Sequence, residues 1–561
     1  MADRSQTRTG GGHVVDALCL HGVDTAFCVP GESYLAVLDA LHDVGDAIRL
    51  VTCRHENGAA NMAEAYGKLT GKPGVCLVTR GPGACNASIG VHTALQDSTP
   101  MVLLIGQVPR PFAGRESFQE VDYRRMFAPL AKWVDQAEAA ADLPELMARA
   151  FHAAVSGRPG PAVLALPEDV LEESARAARV APLAVEPARP ANADMERLAA
   201  LLAKAQRPIM MVGGGGWTEK ARRGVLAFAE ANDLAVTCSF RRHDIFDNGH
   251  PSFIGDLGVA PNPELVARLK AADLVLAVGA RLGEIATQGY TLISAPRPEQ
   301  TLIHVHAGAE ELGRVFTPDL AIHSGMAEFT AAAAELEPAN NPPWREWRAA
   351  ARREYEAGLV PPAGDGRLDL GAVMGAINER LTADAIVTTD AGNFSGWVHR
   401  FVGFGGGRRL LGATNGAMGY GVPGAVAAKI TAPGRMVIGF VGDGGFGMTG
   451  QELATAVGSG AAPLIIVFNN GMYGTIRMHQ EREYPERVIA TELANPDYAA
   501  LAVAHGAFGE AVERTGEFAP ALDRALASGK AALIELRTDP NIITTRTTLA
   551  AIRAKALVDR N

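Results

Sequence analysis

Eleven short apolar runs recur along this chain, each four to six residues long and separated by Ala-rich stretches. They are Ile48–Cys53, Val75–Thr79, Met101–Ile105, Val163–Leu166, Ile209–Val212, Leu274–Val278, Thr301–Val305, Ile386–Thr389, Met436–Val441, Leu464–Phe468 and Ala532–Leu536. None alternates polar with apolar residues, so each suits a strand covered on both faces. Such strands build parallel sheets whose crossovers are helices. The fold class is therefore α/β. Two Pro-rich stretches, Val180–Asp194 and Leu336–Gly366, divide the 561 residues into blocks 1–180, 190–335 and 365–561. Each block has the size of one doubly wound, parallel-sheet domain.

Composition narrows the function classes. The net charge of −10 argues against nucleic acid or an anionic membrane surface as partner. No apolar run approaches the roughly 18–20 residues of a membrane span, and the first residues lack a signal-peptide pattern. The six cysteines form no Cys-x-x-Cys pair, which suits reduced, mostly buried thiols in a cytoplasmic protein.

A long-range echo links the outer blocks. Ala65–Gly83 (AYGKLTGKPGVCLVTRGPG) and Val426–Gly444 (VAAKITAPGRMVIGFVGDG) each give a helix with a late lysine, a Pro-Gly turn, an apolar strand and a Gly-x-Gly turn. The offset is 361 residues at Lys68/Lys429 and again at Gly81/Gly442. Either two ordinary α/β units look alike, or the first and third blocks share one architecture.

The sharpest chemistry lies in the third block. A strand ends at Gly442-Asp443-Gly444-Gly445, and the next ends at Asn469-Asn470. In a right-handed βαβ unit both ends lie at the carboxyl edge of the sheet, where ligands bind. Asp443 and Asn470 thus become neighbours, and a carboxylate with an amide oxygen suits magnesium completed by phosphate oxygens and water. Gly444 and Gly445 let backbone N–H groups approach a diphosphate at the start of the following helix, expected near 449–459.

With these motifs the chain resembles the thiamine diphosphate enzyme superfamily, in the branch of acetolactate synthase and pyruvate oxidase. The resemblance spans nearly the whole length. It implies a pyrimidine-binding, a central and a diphosphate-binding domain, and makes the Met472 carbonyl a third magnesium ligand. Arg54-His55-Glu56 followed by AEAYGKLTG is similar to the family's activating segment. Glu56 would then hydrogen-bond N1′ of the aminopyrimidine, favouring the tautomer whose N4′ takes the proton from C2 of the thiazolium. Met418, in Asn415-Gly416-Ala417-Met418-Gly419, matches the residue that props the cofactor into a bent shape. Gly416 and Met418 would hold the pyrimidine edge, while Gly392 and Asn393 match the loop over the diphosphate.

At the substrate end, Ser33 of Pro30-Gly31-Glu32-Ser33 stands where a loop covers C2, although a serine there also suits an ordinary turn. Phe118, Gln119 and Lys132 match acetolactate synthase segments that approach the substrate, a 2-oxo acid whose carboxylate a cation would bind. Two positions depart from the family. His479 replaces a tryptophan that favours a larger second 2-oxo acid, and Ile285 replaces an arginine that grips that acid's carboxylate, although Arg281 is kept. The resemblance therefore implies decarboxylation with carboligation on a different acceptor. Carbon–carbon cleavage of a diketone or acyloin, and a catalytically silent cofactor-binding paralogue, are the alternatives. The turn Gly213–Gly216 suits a nucleotide such as FAD or ADP, while His306 replaces an acidic residue of FAD binders. The family also implies homodimers or homotetramers with active sites shared between subunits.

Overall fold

The computed structural model describes residues 5–362 and 367–560. Three six-stranded parallel sheets, each with helices on both faces, follow one another along the chain. In spatial order the first sheet contains Arg49–Thr52, Thr25–Cys28, Gly74–Val78, Met101–Gln107, Pro161–Pro167 and Trp133–Gln136. The third contains Arg409–Gly412, Ile386–Thr389, Val437–Gly442, Leu464–Asn469, Ala532–Arg537 and Phe508–Val512. Counted within each domain, both orders read 2-1-3-4-6-5, and the echoed strands Gly74–Val78 and Val437–Gly442 take the same third place. The outer domains therefore share one topology. The central sheet differs: Phe253–Leu257, Ala235–Ser239, Pro208–Val212, Leu274–Val278, Thr301–His306 and Leu320–His323 read 3-2-1-4-5-6. An antiparallel pair, Ser5–Thr9 with Ser174–Ala178, returns the end of the first domain to its beginning.

All eleven expected runs are strands, and seven further strands complete the sheets. Helix Arg345–Ala357, inside the expected second linker, packs against the central sheet instead of spanning free space. Arg352 Nη1 donates to the carbonyls of Asn248, His250 and Phe253, and Trp344 is buried. The last residues of that linker, 363–366, lie outside the described residues. Of the six cysteines, all free, Cys28, Cys53, Cys76 and Cys238 are buried and Cys19 and Cys85 are exposed.

The Ala-rich helices meet where the outer domains touch. Helix Glu56–Thr70 lies between helices Pro82–Asp97 and Gly421–Thr431, with Ala59, Ala60, Ala63 and Ala425 fully buried. Small side chains let these helices approach closely; a Cβ on Gly90 would come within 2.5 Å of the Ala60 methyl. A buried ion cluster seals the contact. Lys68 Nζ bonds Glu64 Oε1 at 3.0 Å, Asp97 Oδ2, and the Gly412 carbonyl at 2.9 Å.

Candidate active site

The carboxyl edge of the third sheet gathers the diphosphate and metal candidates. Strand Val437–Gly442 passes directly into a helix at Asp443, so the expected helix near 449–459 is in fact two helices, Asp443–Thr449 and Glu452–Gly458. Asp443 is 4% exposed and strongly hydrogen-bonded. Its Oδ1 accepts from Gly444 N at 2.9 Å, and its Oδ2 accepts from Gly471 N at 2.8 Å and Asn495 Nδ2 at 2.9 Å. Burial raises its pKa above the ordinary carboxylate value, and these N–H donors oppose the rise. Asn470 Oδ1 accepts from Met472 N at 3.2 Å, so Asp443, Asn470 and Met472 form one corner.

This corner opens onto a cavity of about 250 Å³, which Gly392, Asn393, Gly416, Met418, Gly442, Gly444 and Gly445 also border. The two turn glycines are dictated by close neighbours. A Cβ on Gly444 would fall 2.6 Å from Tyr473 Cε1 and 3.2 Å from Met418 Cε; on Gly445 it would fall 2.4 Å from Asp390 Oδ2. Asn393 is tied to the helix Gly474–Glu483 by its N–H to Thr475 Oγ1 at 3.1 Å and its Nδ2 to Met478 Sδ at 3.3 Å. His479 lies one turn along that helix, exposed, with its Nδ1 accepting from Arg482. Burial, followed by the Arg482 charge, lowers its pKa.

The carboxyl edge of the first sheet carries a second cluster. Strand Arg49–Thr52 ends before His55, whose Nδ1 caps the helix by accepting from Asn57 N at 3.1 Å, placing Glu56 in the first turn. Glu56 is 9% exposed, and its Oε2 accepts from Asn86 Nδ2 at 2.9 Å. Phe118 is 73% exposed, with Arg80 6.0 Å above its ring. Gln119, at φ +65°, packs on Gly81. Ser33 is fully buried, its hydroxyl 2.9 Å from Thr79 Oγ1 and accepting from Arg80 N at 3.4 Å. In this position Ser33 fastens its loop to the neighbouring turn, as an ordinary turn serine does.

Lys132 requires a correction. It precedes strand Trp133–Gln136 and so stands at the amino edge, across the sheet from Glu56 and Gln119. Its Nζ donates to the carbonyls of Ala153 at 2.6 Å and Ser156 at 2.7 Å, closing the end of helix Leu143–Val155. Burial pushes its pKa down to about 8. In this geometry the ammonium caps a helix and is not presented to a substrate carboxylate.

Several residues that shape the site escaped sequence reasoning. Asn495 bridges Asp443 and Asn469, and Tyr498 donates to the Asp443 carbonyl at 3.2 Å. Asp390, fully buried, accepts from Ala391 N and Gly419 N at 2.7 and 2.9 Å, tying two cavity loops together; burial raises its pKa to about 6. Glu452 accepts from Arg54 N and His55 N at 3.2 and 2.9 Å, anchoring the turn before Glu56. In the central domain the Gly213–Gly216 turn follows strand Pro208–Val212 at the point where strand order reverses. Trp217 Nε1 donates to the Gly213 carbonyl at 2.7 Å, and His306 is buried with its Nδ1 accepting from Gly308 N at 3.0 Å.

Three α/β domains, with a carboxylate–amide corner and a glycine turn bordering a cavity at the edge of the third, make a site suited to a phosphate-bearing cofactor. The matching family models are those of the thiamine pyrophosphate enzyme N-terminal TPP binding domain over residues 8–126, its central domain over 195–333 and its C-terminal TPP binding domain over 390–536. The chain belongs to the thiamine pyrophosphate enzyme family, in its acetolactate synthase/pyruvate oxidase-like branch. It is similar to the acetolactate synthase large subunit of Parasynechococcus marenigrum, 34% identical over 91% of this chain and 84% of the relative. Likewise it is 32% identical to the acetolactate synthase isozyme 2 large subunit of Escherichia coli over 94% of this chain and 95% of the relative. A probable acetolactate synthase large subunit of Methanocaldococcus jannaschii is 30% identical over 94% of this chain and 91% of its own length. Among the described residues no helix is long and apolar enough to cross a membrane.

Proposed function

We propose that this enzyme uses magnesium and thiamine diphosphate to decarboxylate a 2-oxo acid and to join the remaining acyl unit to an acceptor other than 2-oxobutyrate. The observation that carries the reading is that Asp443, Asn470 and Met472 border one cavity beside the Gly444-Gly445 turn, where a carboxylate, an amide oxygen and the Met472 carbonyl would supply oxygen ligands only. That donor set suits a hard divalent cation together with diphosphate oxygens. When bound, the cofactor supplies the nucleophilic carbon and the electron sink. The chain's own residues do the rest. N–H groups at the start of helix Asp443–Thr449 would hold the diphosphate, and Gly416 and Met418 would hold the pyrimidine edge. Glu56, already largely desolvated, holds the proton at N1′. Phe118 and Gln119 would border the reacting carbon.

The acceptor proposal rests on Ile285 and His479. Ile285 is 37% exposed where an arginine would meet a second carboxylate, and Arg281 is committed to Glu311 at 3.4 Å and to the Gln96 carbonyl at 3.2 Å. Losing a bidentate carboxylate partner weakens a second 2-oxo acid. Carbon dioxide release and product analysis with a panel of 2-oxo acids and aldehydes, with and without cofactor, test the reading. Cofactor-dependent carbon dioxide release is expected. Efficient acetohydroxybutyrate formation from pyruvate and 2-oxobutyrate would contradict the acceptor assignment.

We further propose that the site is completed by a second copy in a homodimer or homotetramer in the cytoplasm, with domain limits near 1–180, 190–335 and 365–561. Among the described residues the cavity is bordered only by residues 370–543, and its 250 Å³ falls below the ~300–1,000 Å³ usual for a whole ligand. Glu56 lies outside that border, which supports its serving a two-fold-related partner. For the central domain, Gly213–Gly216 is the place where FAD or ADP would lie. Release of either nucleotide on denaturation supports that assignment, and a protein whose stability neither changes overturns it.

A further inference from the structure

We propose that Arg241, a residue of the central domain, is a positioning residue for the two cofactor loops of the C-terminal domain. The inference rests on the cofactor reading above and adds a function for the central domain within it.

Arg241 follows strand Ala235–Ser239 at the carboxyl edge of the central sheet. It is 1% exposed, and its backbone takes the left-handed φ of +59°, which a side chain of its size rarely adopts. Its guanidinium crosses into the C-terminal domain. Nη2 donates to the Asp390 carbonyl at 2.7 Å, and Nη1 donates to the Ala413 carbonyl. Gly412 leaves room for the crossing, since a Cβ there would fall 2.9 Å from Arg241 Cδ. Phe240 lies under the charge at 4.8 Å from its ring centroid.

The two accepting carbonyls are not arbitrary. Asp390 immediately precedes Ala391, Gly392 and Asn393, and Ala413 precedes the stretch that holds Gly416 and Met418; all five of these residues border the cavity. One rigid, planar donor therefore spaces the diphosphate loop from the pyrimidine loop. The same charge faces the Asp390 carboxylate, whose oxygens accept from Gly419 N at 2.9 Å and so tie the two loops a second time. Charge-assisted bonds made out of water are the strong ones, and a fixed fork loses little freedom in making two of them. Other arginines at domain contacts lack this relation. Arg409, for example, joins Asp244 at 2.8 Å and the carbonyls of Leu69 and Lys68 at 3.3 and 3.2 Å, none of which borders the cavity. Arg241 does not itself border the cavity; it acts through the spacing of the loops that do.

The test compares Arg241→Met, which keeps the volume and removes the donors, with Arg409→Met as a control that also breaks a domain contact. Calorimetric titration of each apoenzyme with thiamine diphosphate in saturating magnesium gives Kd, and thermal scans give Tm. Arg241→Met should raise Kd at least tenfold over wild type, whereas Arg409→Met should stay within twofold even where its Tm falls as far. Arg241→Lys, which can reach one carbonyl at a time, should lie between; it also serves as the test if Arg241→Met does not fold. Wild-type Kd in Arg241→Met or Arg241→Lys, or an equal loss in Arg409→Met, would overturn the inference. A wild-type apoenzyme that does not bind thiamine diphosphate would instead overturn the cofactor reading, and this inference with it.

Discussion

Gly445→Ala offers a sharp perturbation of the site, because one methyl group meets one buried carboxylate. The added Cβ would stand 2.4 Å from Asp390 Oδ2 and 3.0 Å from its Cγ. Ordinary contact begins near 3.4 Å, so one of the two must move by about 1 Å. Asp390 cannot swing away cheaply, since its oxygens hold Ala391, Gly419 and Tyr420 by their N–H groups. Overpacking of this kind costs about 1–3 kcal/mol. The functional effect should be larger, because the displaced groups lead both cavity loops, and a misplacement of about 1 Å can cost on the order of a hundredfold in rate. Gly447, two residues along the same helix, is the internal control: a Cβ there meets nothing within 4 Å. Gly447→Ala should be neutral or stabilising by up to about 1 kcal/mol through helix propensity. Cofactor titration and steady-state kinetics on both variants provide the assay. Near-wild-type turnover in Gly445→Ala, or equal losses in the two variants, would refute the reasoning.

Other consequences follow from buried charge. His304 Nε2 donates to the Ala280 carbonyl at 3.0 Å, and burial lowers its pKa to about 4. Its folded pKa lies below the unfolded value, so the stability it confers is present above pH 6.5 and lost as pH falls towards 4, about 3 kcal/mol in all. His304→Gln should flatten thermal stability across that window relative to wild type; parallel curves would contradict this. Asp390 acts with the opposite sign: its raised pKa favours the fold below pH 3.8, and that contribution is lost as pH rises through about 6. It is common to both proteins and cancels in their difference. Lys68→Met leaves Glu64 and Asp97 buried without their ammonium and should destabilise by about 3–5 kcal/mol. Combining it with Asp97→Asn should cost less than the two losses added, and strict additivity in thermal scans would count against the cluster. Asp443→Ala removes the charged member of the proposed metal corner and should abolish magnesium-dependent cofactor binding; tight binding at low magnesium by calorimetry would dismiss that corner.

Interior strands were legible because burial on both faces leaves an unbroken apolar run such as Leu464–Phe468. Five of the seven strands that were not legible are sheet edges: Trp133–Gln136, Phe253–Leu257, Leu320–His323, Arg409–Gly412 and Phe508–Val512. Several of these are half solvated, and sequences such as Trp-Val-Asp-Gln lack a continuous apolar signal. At the site, Asp443, Asn470 and Glu56 could be read because each sits beside a strand end or helix start with a local pattern. Arg241, Glu452, Asn495 and the link from Asp390 to Gly419 could not be read, because the partners are backbone groups or side chains of distant segments. Lys132 illustrates the opposite failure: it precedes strand Trp133–Gln136 and so stands at the amino edge, where its ammonium is held by the carbonyls of Ala153 and Ser156, which local sequence does not identify.

The most direct measurement of the central claim mixes two inactive proteins under conditions of subunit exchange. Glu56→Gln lacks the proposed pyrimidine contact, and Asp443→Ala lacks the proposed metal ligand. If two copies share each site, a mixed dimer contains one site with both lesions and one with neither. Random exchange should then restore about a quarter of wild-type activity, since half the dimers are mixed and each has one intact site. No recovery, with mixed dimers demonstrated by mass, would contradict a thiamine diphosphate site built from Glu56 of one chain and Asp443 of another.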